Sequence, residues 1–167
     1  MKGSSSAYVA PTRSARRGGD ERISGLRLNR DDTAKPKHRR VLIADDDDDT
    51  REMYAWCLRA AGWLVAEAAN GHDAFKIAAA LRPDIIVMDL RMPVLSGLDA
   101  IGRLKADERT RDIPIVICTG LDGATLESHA HHAMCDGLVT KPCPPDSMVA
   151  LLDALTASRD AESPDGS

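Results

Sequence analysis

Five short apolar runs, separated by stretches of helical period, constrain what this chain can fold into. They are VLIA from Val41, WLVAEA from Trp63, DIIVMD from Asp84, IPIVICTG from Ile113 and GLVT from Gly137. Apolar runs that alternate with amphipathic helical segments are the pattern of βα units around a parallel sheet. The first, third and fourth runs are continuously apolar, as central strands covered on both faces must be; the second alternates and the fifth is short, which suits sheet edges. The expectation is an α/β domain with a five-stranded parallel sheet and helices on both faces.

The intervening segments carry apolar stripes at i, i+3, i+4, i+7 spacing. The first is Met53, Trp56, Cys57 and Ala60, the second Ala74, Ile77, Ala78 and Leu81, and the last Met148, Leu151, Leu152 and Leu155. A weaker segment at 124–134 offers only Leu126, His129, Ala130 and Ala133. Punctuation agrees with these spans. Gly62 can take a left-handed cap after the first helix, Asn70-Gly71 marks the turn before the second, and Pro83 closes it.

The ends differ from the middle. The formal net charge is -4, yet residues 1–40 hold eleven Lys and Arg against four Asp and Glu, a net of +7. Residues 1–38 are rich in Ser, Gly and Arg with scarcely any apolar periodicity, so they form a disordered basic arm that cannot offset its ordering entropy by burial. The arm reads first as a spacer. An acidic protein partner, a nucleic acid or an anionic membrane face are the alternatives, and Tyr8 alone is too little for base stacking. Residues 39–157 form the domain and 158–167 a disordered polar tail. No output domain is expected after Leu155, and hence no intrinsic DNA-binding domain is expected.

No apolar run approaches the ~20 residues that span a bilayer, and the N-terminal residues lack the apolar stretch of a secretory signal, so a cytoplasmic protein is expected. The four cysteines, Cys57, Cys118, Cys135 and Cys143, form no CxxC pair and read as reduced thiols, the first two as core filler.

Ligands of an open parallel sheet gather beyond the carboxyl ends of its strands. There the first strand delivers Asp45 and Asp46, the third Asp89, the fourth Thr119 and the fifth Lys141. Three converging carboxylates repel one another and call for a cation. Oxygen-only ligands favour a hard divalent ion, magnesium, over zinc or iron. A carboxylate beside such an ion and an ammonium group is set up to attack phosphorus. Asp89 takes that role, with Lys141 and Thr119 acting on phosphoryl oxygens.

The motifs VLIADD at 41–46, DIIVMDLRMPVLSG at 84–97, CTG at 118–120 and VTKP at 139–142 resemble, in order and separation, those of bacterial two-component response-regulator receiver domains, including single-domain chemotaxis regulators. The resemblance covers about 118 residues, from Arg40 to about Ala157. It implies a flavodoxin-like fold with strand order 2-1-3-4-5, Mg2+-dependent transfer from the phosphohistidine of a sensor histidine kinase or histidine phosphotransfer protein, and slow autodephosphorylation. By position it implies that Asp46 and Asp89 bind Mg2+ directly, Asp45 through water and Arg91 through its backbone carbonyl. The side chain of Arg91 occupies a position similar to one that sets dephosphorylation rate in the family. Two departures stand out: Leu138 where the family often has an aromatic switch residue, and Cys143 where Phe or Tyr often follows the Lys-Pro pair.

Other readings are blander or chemically different. Asp47, Asp48 and Asp49 read as loop and helix-start carboxylates favoured by the helix dipole. His129 and His132 in the HAHH run share a helical face, but no thiol or carboxylate is placed to complete a metal site, so solvated surface is expected. A magnesium-dependent phosphatase resembling the haloacid dehalogenases would place a second Asp where Arg91 stands. The expected function is therefore a stand-alone phosphoacceptor that catalyses only its own phosphotransfer and dephosphorylation, and signals to a downstream protein by contact. The alternative is a phosphorylation-independent binding module.

Overall fold

The computed structural model describes residues 38–120 and 135–162. The basic arm before His38, the segment expected to be a helix at 124–134 with its HAHH run, and residues 163–167 lie outside the described residues. Strands β1 (Arg40–Ala44), β2 (Leu64–Ala68), β3 (Ile85–Met88), β4 (Ile115–Thr119) and β5 (Gly137–Thr140) form one sheet. All the pairings are parallel and the order is β2-β1-β3-β4-β5. The described helices are α1 (Asp48–Ala60), α2 (Gly71–Leu81), α3 (Gly97–Ala106) and α4 (Pro145–Glu162).

Strand alternation divides the apolar residues between two cores. Leu42, Ile86, Met88, Ile115 and Ile117 point to one side, where they meet Ala74 and Ala78 of α2 and Ala100, Ile101 and Leu104 of α3. Val41, Ile43, Ile85, Val87, Val116 and Cys118 point to the other, against Tyr54 and Leu58 of α1 and Met148 and Leu152 of α4. Each fully buried Leu or Ile contributes roughly 1.5–3 kcal/mol of transfer free energy. The helices start where a side-chain acceptor caps them: Asp47 accepts from the Thr50 N–H, Asn70 from Asp73 and Ser96 from Asp99. Gly62 takes the expected left-handed conformation, φ 93°, just after α1.

Three expectations need correction. The buried face of α1 is Tyr54, Ala55 and Leu58, whereas Met53 and Trp56 are 42% and 70% exposed. Residues 53–58 are all apolar or aromatic, so two helical stripes one residue apart look alike, and it is the stripe of Tyr54, Ala55 and Leu58 that packs against the sheet. Leu81, at the end of the second stripe and the last residue of α2, is exposed, and Arg82 after it takes the left-handed region at φ 46°. The tail expected to fray from residue 158 is helical through Glu162. Its polar residues have partners in the body of the domain: Arg159 donates to the Asp112 carbonyl at 2.7 Å, and Asp160 pairs with Arg39 at 3.0 Å.

No helix among the described residues is long and apolar enough to cross a membrane.

Candidate phosphoacceptor site

The carboxyl ends of four strands, β1, β3, β4 and β5, lie at the same end of the sheet. Ala44 of β1 and Met88 of β3 are register partners, and the Asp89 N–H donates to the Ala44 carbonyl at 2.8 Å. The residues that leave these strands, Asp45 and Asp89, are therefore neighbours. Thr119 is the last residue of β4, opposite Thr140 of β5, and its carbonyl accepts from the Lys141 N–H at 2.9 Å. That bond starts the turn that brings the Lys141 side chain back over β1 and β3.

Asp45, Asp46 and Asp89 each offer a carboxylate oxygen, all within 4.8 Å of one another. Asp45 and Asp89 are buried and Asp46 is exposed. Lys141 Nζ lies 2.6 Å from Asp45 Oδ2 and 3.5 Å from Asp89 Oδ2. Burial raises the Asp45 carboxyl above its ordinary range, against the opposing hydrogen bonds from Lys141 and the Asp47 N–H. For Lys141 burial pulls the other way, but Asp45 and Asp89 outweigh it and hold the ammonium above its usual range. One ammonium facing three acidic groups leaves negative charge in a partly desolvated place. This oxygen-only donor set fits a hard divalent cation.

Thr119 is fully buried, and its Oγ1 has no hydrogen-bond partner among the described residues. A buried hydroxyl left unpaired costs about 1–3 kcal/mol, so such a group in a strand-end cleft points to a ligand oxygen that satisfies it. Arg91 follows Asp89 by two residues. Its backbone N–H donates to Asp89 Oδ1 at 3.3 Å, and its guanidinium lies near Gly120, where it would meet a Cβ placed on that glycine.

Asp47 is the N-cap of α1, with hydrogen bonds from Thr50 lowering its pKa, and Asp48 and Asp49 occupy the first turn, in keeping with their structural reading. Two supports escaped the sequence reading. Arg51 donates to the Asp45 carbonyl at 2.7 Å, a contact that its place one turn after the cap makes possible. Gly97 starts α3 against the backbone of Asp89, so closely that any Cβ would overlap the Asp89 carbonyl. The Ser96-Gly97 pair, a cap residue followed by a glycine, was the available signal.

Residues 41–153 match the model of the response regulator receiver domain. The chain belongs to this family. It is 36% identical over 127 residues to the phosphate regulon transcriptional regulatory protein PhoB of Pseudomonas aeruginosa, covering 74% of this chain and 56% of that protein. It is 33% identical over 120 residues to the chemotaxis protein CheY of Thermotoga maritima, covering 71% of this chain and 98% of that one. Among solved structures it is similar to the receiver domain of the sensor histidine kinase PA1611 from Pseudomonas aeruginosa, crystallised with a magnesium ion coordinated in the active-site cleft. That match has a TM-score of 0.68 and 26% identity, and covers 72% of this chain and 98% of the other. The chain spans about half the length of the transcriptional regulators it matches. The two-component receiver class and its CheY-like fold are thus established, and the role of each residue follows as a proposal.

Proposed function

We propose that Asp89 accepts a phosphoryl group from a phosphohistidine of a sensor histidine kinase or histidine phosphotransfer protein, and that the chain acts as a stand-alone receiver signalling to a downstream protein by contact. The observation that carries this reading is the Thr119 hydroxyl, buried without a partner among the described residues at the end of the strand beside Asp89. In transfer, an Asp89 carboxylate oxygen attacks phosphorus, the P–N bond breaks, and its electron pair returns to the donor imidazole. Lys141 neutralises one phosphoryl oxygen and Thr119 donates its hydroxyl to another. Asp45, Asp46, Asp89 and the Arg91 carbonyl would hold Mg2+, which supplies charge neutralisation of the phosphoryl oxygens. The Arg91 side chain, two residues after Asp89 and near Gly120, would influence water access to the acyl phosphate.

The test is phosphoryl uptake from acetyl phosphate with and without Mg2+. Mg2+-dependent labelling supports the reading. A chain that takes no label under either condition is a phosphorylation-independent binding module instead.

A further inference from the structure

Tyr54 is a buried phenol on α1, 2% exposed, within the core shared by α1, α4 and one side of the sheet. Its hydroxyl donates to the Cys143 carbonyl at 2.9 Å and lies 4.0 Å from Cys118 Sγ. Cys118 immediately precedes Thr119, and Cys143 comes two residues after Lys141. A single phenol thus touches both chain segments that carry the polar groups flanking Asp89.

The chemistry of the contact is asymmetric. A buried tyrosine needs a partner for its O–H, and here the partner is a turn carbonyl rather than a strand or helix group. Burial pushes the phenol's pKa upward, so it stays a donor at any working pH. Burial likewise pushes the Cys118 thiol up to about 12 and raises that of Cys143, so both remain neutral packing groups rather than nucleophiles. On its other side the Lys141 turn is held by the Lys141 N–H bond to the Thr119 carbonyl.

We propose that Tyr54 is a positioning residue for phosphoryl transfer. Its hydroxyl, bonded to Cys143 and packed on Cys118, ties the Lys141 turn to the end of β4, so that the ammonium stays against Asp45 and Asp89. The proposal rests on Asp89 being the acceptor. Nothing in it requires Tyr54 to touch the phosphoryl group.

Tyr54→Phe keeps the ring and removes only the hydroxyl, so the core stays filled. Uptake from acetyl phosphate by the full chain should show a maximal rate about three- to tenfold below wild type, the scale of one lost hydrogen bond. Mg2+ affinity, set by the aspartates, should stay within about twofold. In a Lys141→Ala background, adding Tyr54→Phe should cost little more, because the group it positions is already gone. Wild-type rates in Tyr54→Phe, a parallel fall in Mg2+ affinity, or a full additional loss in the Lys141→Ala background would each overturn the proposal. A wild-type chain that takes up no phosphate would bring down the acceptor reading as well, whereas normal wild-type uptake with an unaffected Tyr54→Phe brings down the positioning role alone.

Discussion

The ammonium of Lys141 bridges Asp45 and Asp89, 2.6 Å from the first and 3.5 Å from the second, although these residues leave three different strands. Without it, two buried carboxylates would face each other with no cation from the described residues bonded to either side chain. Lys141→Ala should therefore destabilise the metal-free protein by about 2–4 kcal/mol in urea unfolding with a chelator present. Added Mg2+ should recover part of that loss. Wild-type stability in the variant would mean that the pair is screened by water and contributes little.

Mg2+ itself should stabilise the wild-type chain by mass action, by about 2.7 kcal/mol at a hundredfold excess over its dissociation constant. Asp46 is the exposed member of the cluster and makes the least contribution to packing. Its replacement by Ala should remove most of the Mg2+ effect while leaving metal-free stability nearly unchanged. Melting curves with and without Mg2+ decide this, and an undiminished shift in Asp46→Ala would place the ion elsewhere.

Gly97 gives a purely steric prediction. A methyl group there would overlap the Asp89 carbonyl, which is main chain and cannot swing aside. Gly97→Ala should cost about 1–3 kcal/mol of stability by overpacking and slow phosphoryl uptake by moving Asp89. A variant with normal stability and normal uptake would show that α3 can shift without disturbing the acceptor.

The two faces of α1 can be told apart by substitution. Tyr54→Ala should cost about 3–5 kcal/mol, as large-to-small changes in a core do. Trp56→Ala, on the exposed face, should stay within about 0.5 kcal/mol of wild type. Chemical denaturation of the two variants compares them directly, and a large loss for Trp56→Ala would reverse the assignment of faces.

Much of the molecule was legible because strand ends and site residues coincide. The runs at 41, 84, 113 and 137 end on or beside Asp45, Asp89, Thr119 and Lys141, so recognising strands also located the chemistry. The helix faces were less legible. In Met53–Leu58 every residue is apolar or aromatic, and periodicity cannot choose between neighbouring stripes when both satisfy it. The length of α4 was hidden for another reason: Arg159 and Asp160 look like tail residues in sequence, and only their contacts with Asp112 and Arg39 make them part of the domain. Tyr54 carries no signal in the sequence, because its partners, Cys118 and Cys143, are remote in the chain and contribute a thiol and a carbonyl that no motif marks.

The central claim is that the phosphoryl group resides on Asp89, and reductive trapping tests it most directly. After incubation with acetyl phosphate and Mg2+, borohydride should convert the acyl phosphate to an alcohol, which peptide mass spectrometry can locate as homoserine at position 89. Homoserine at that position in the wild-type chain, and at none in Asp89→Asn, is the predicted result. Homoserine at Asp45 or Asp46, or phosphate retained at wild-type level in Asp89→Asn, would contradict it.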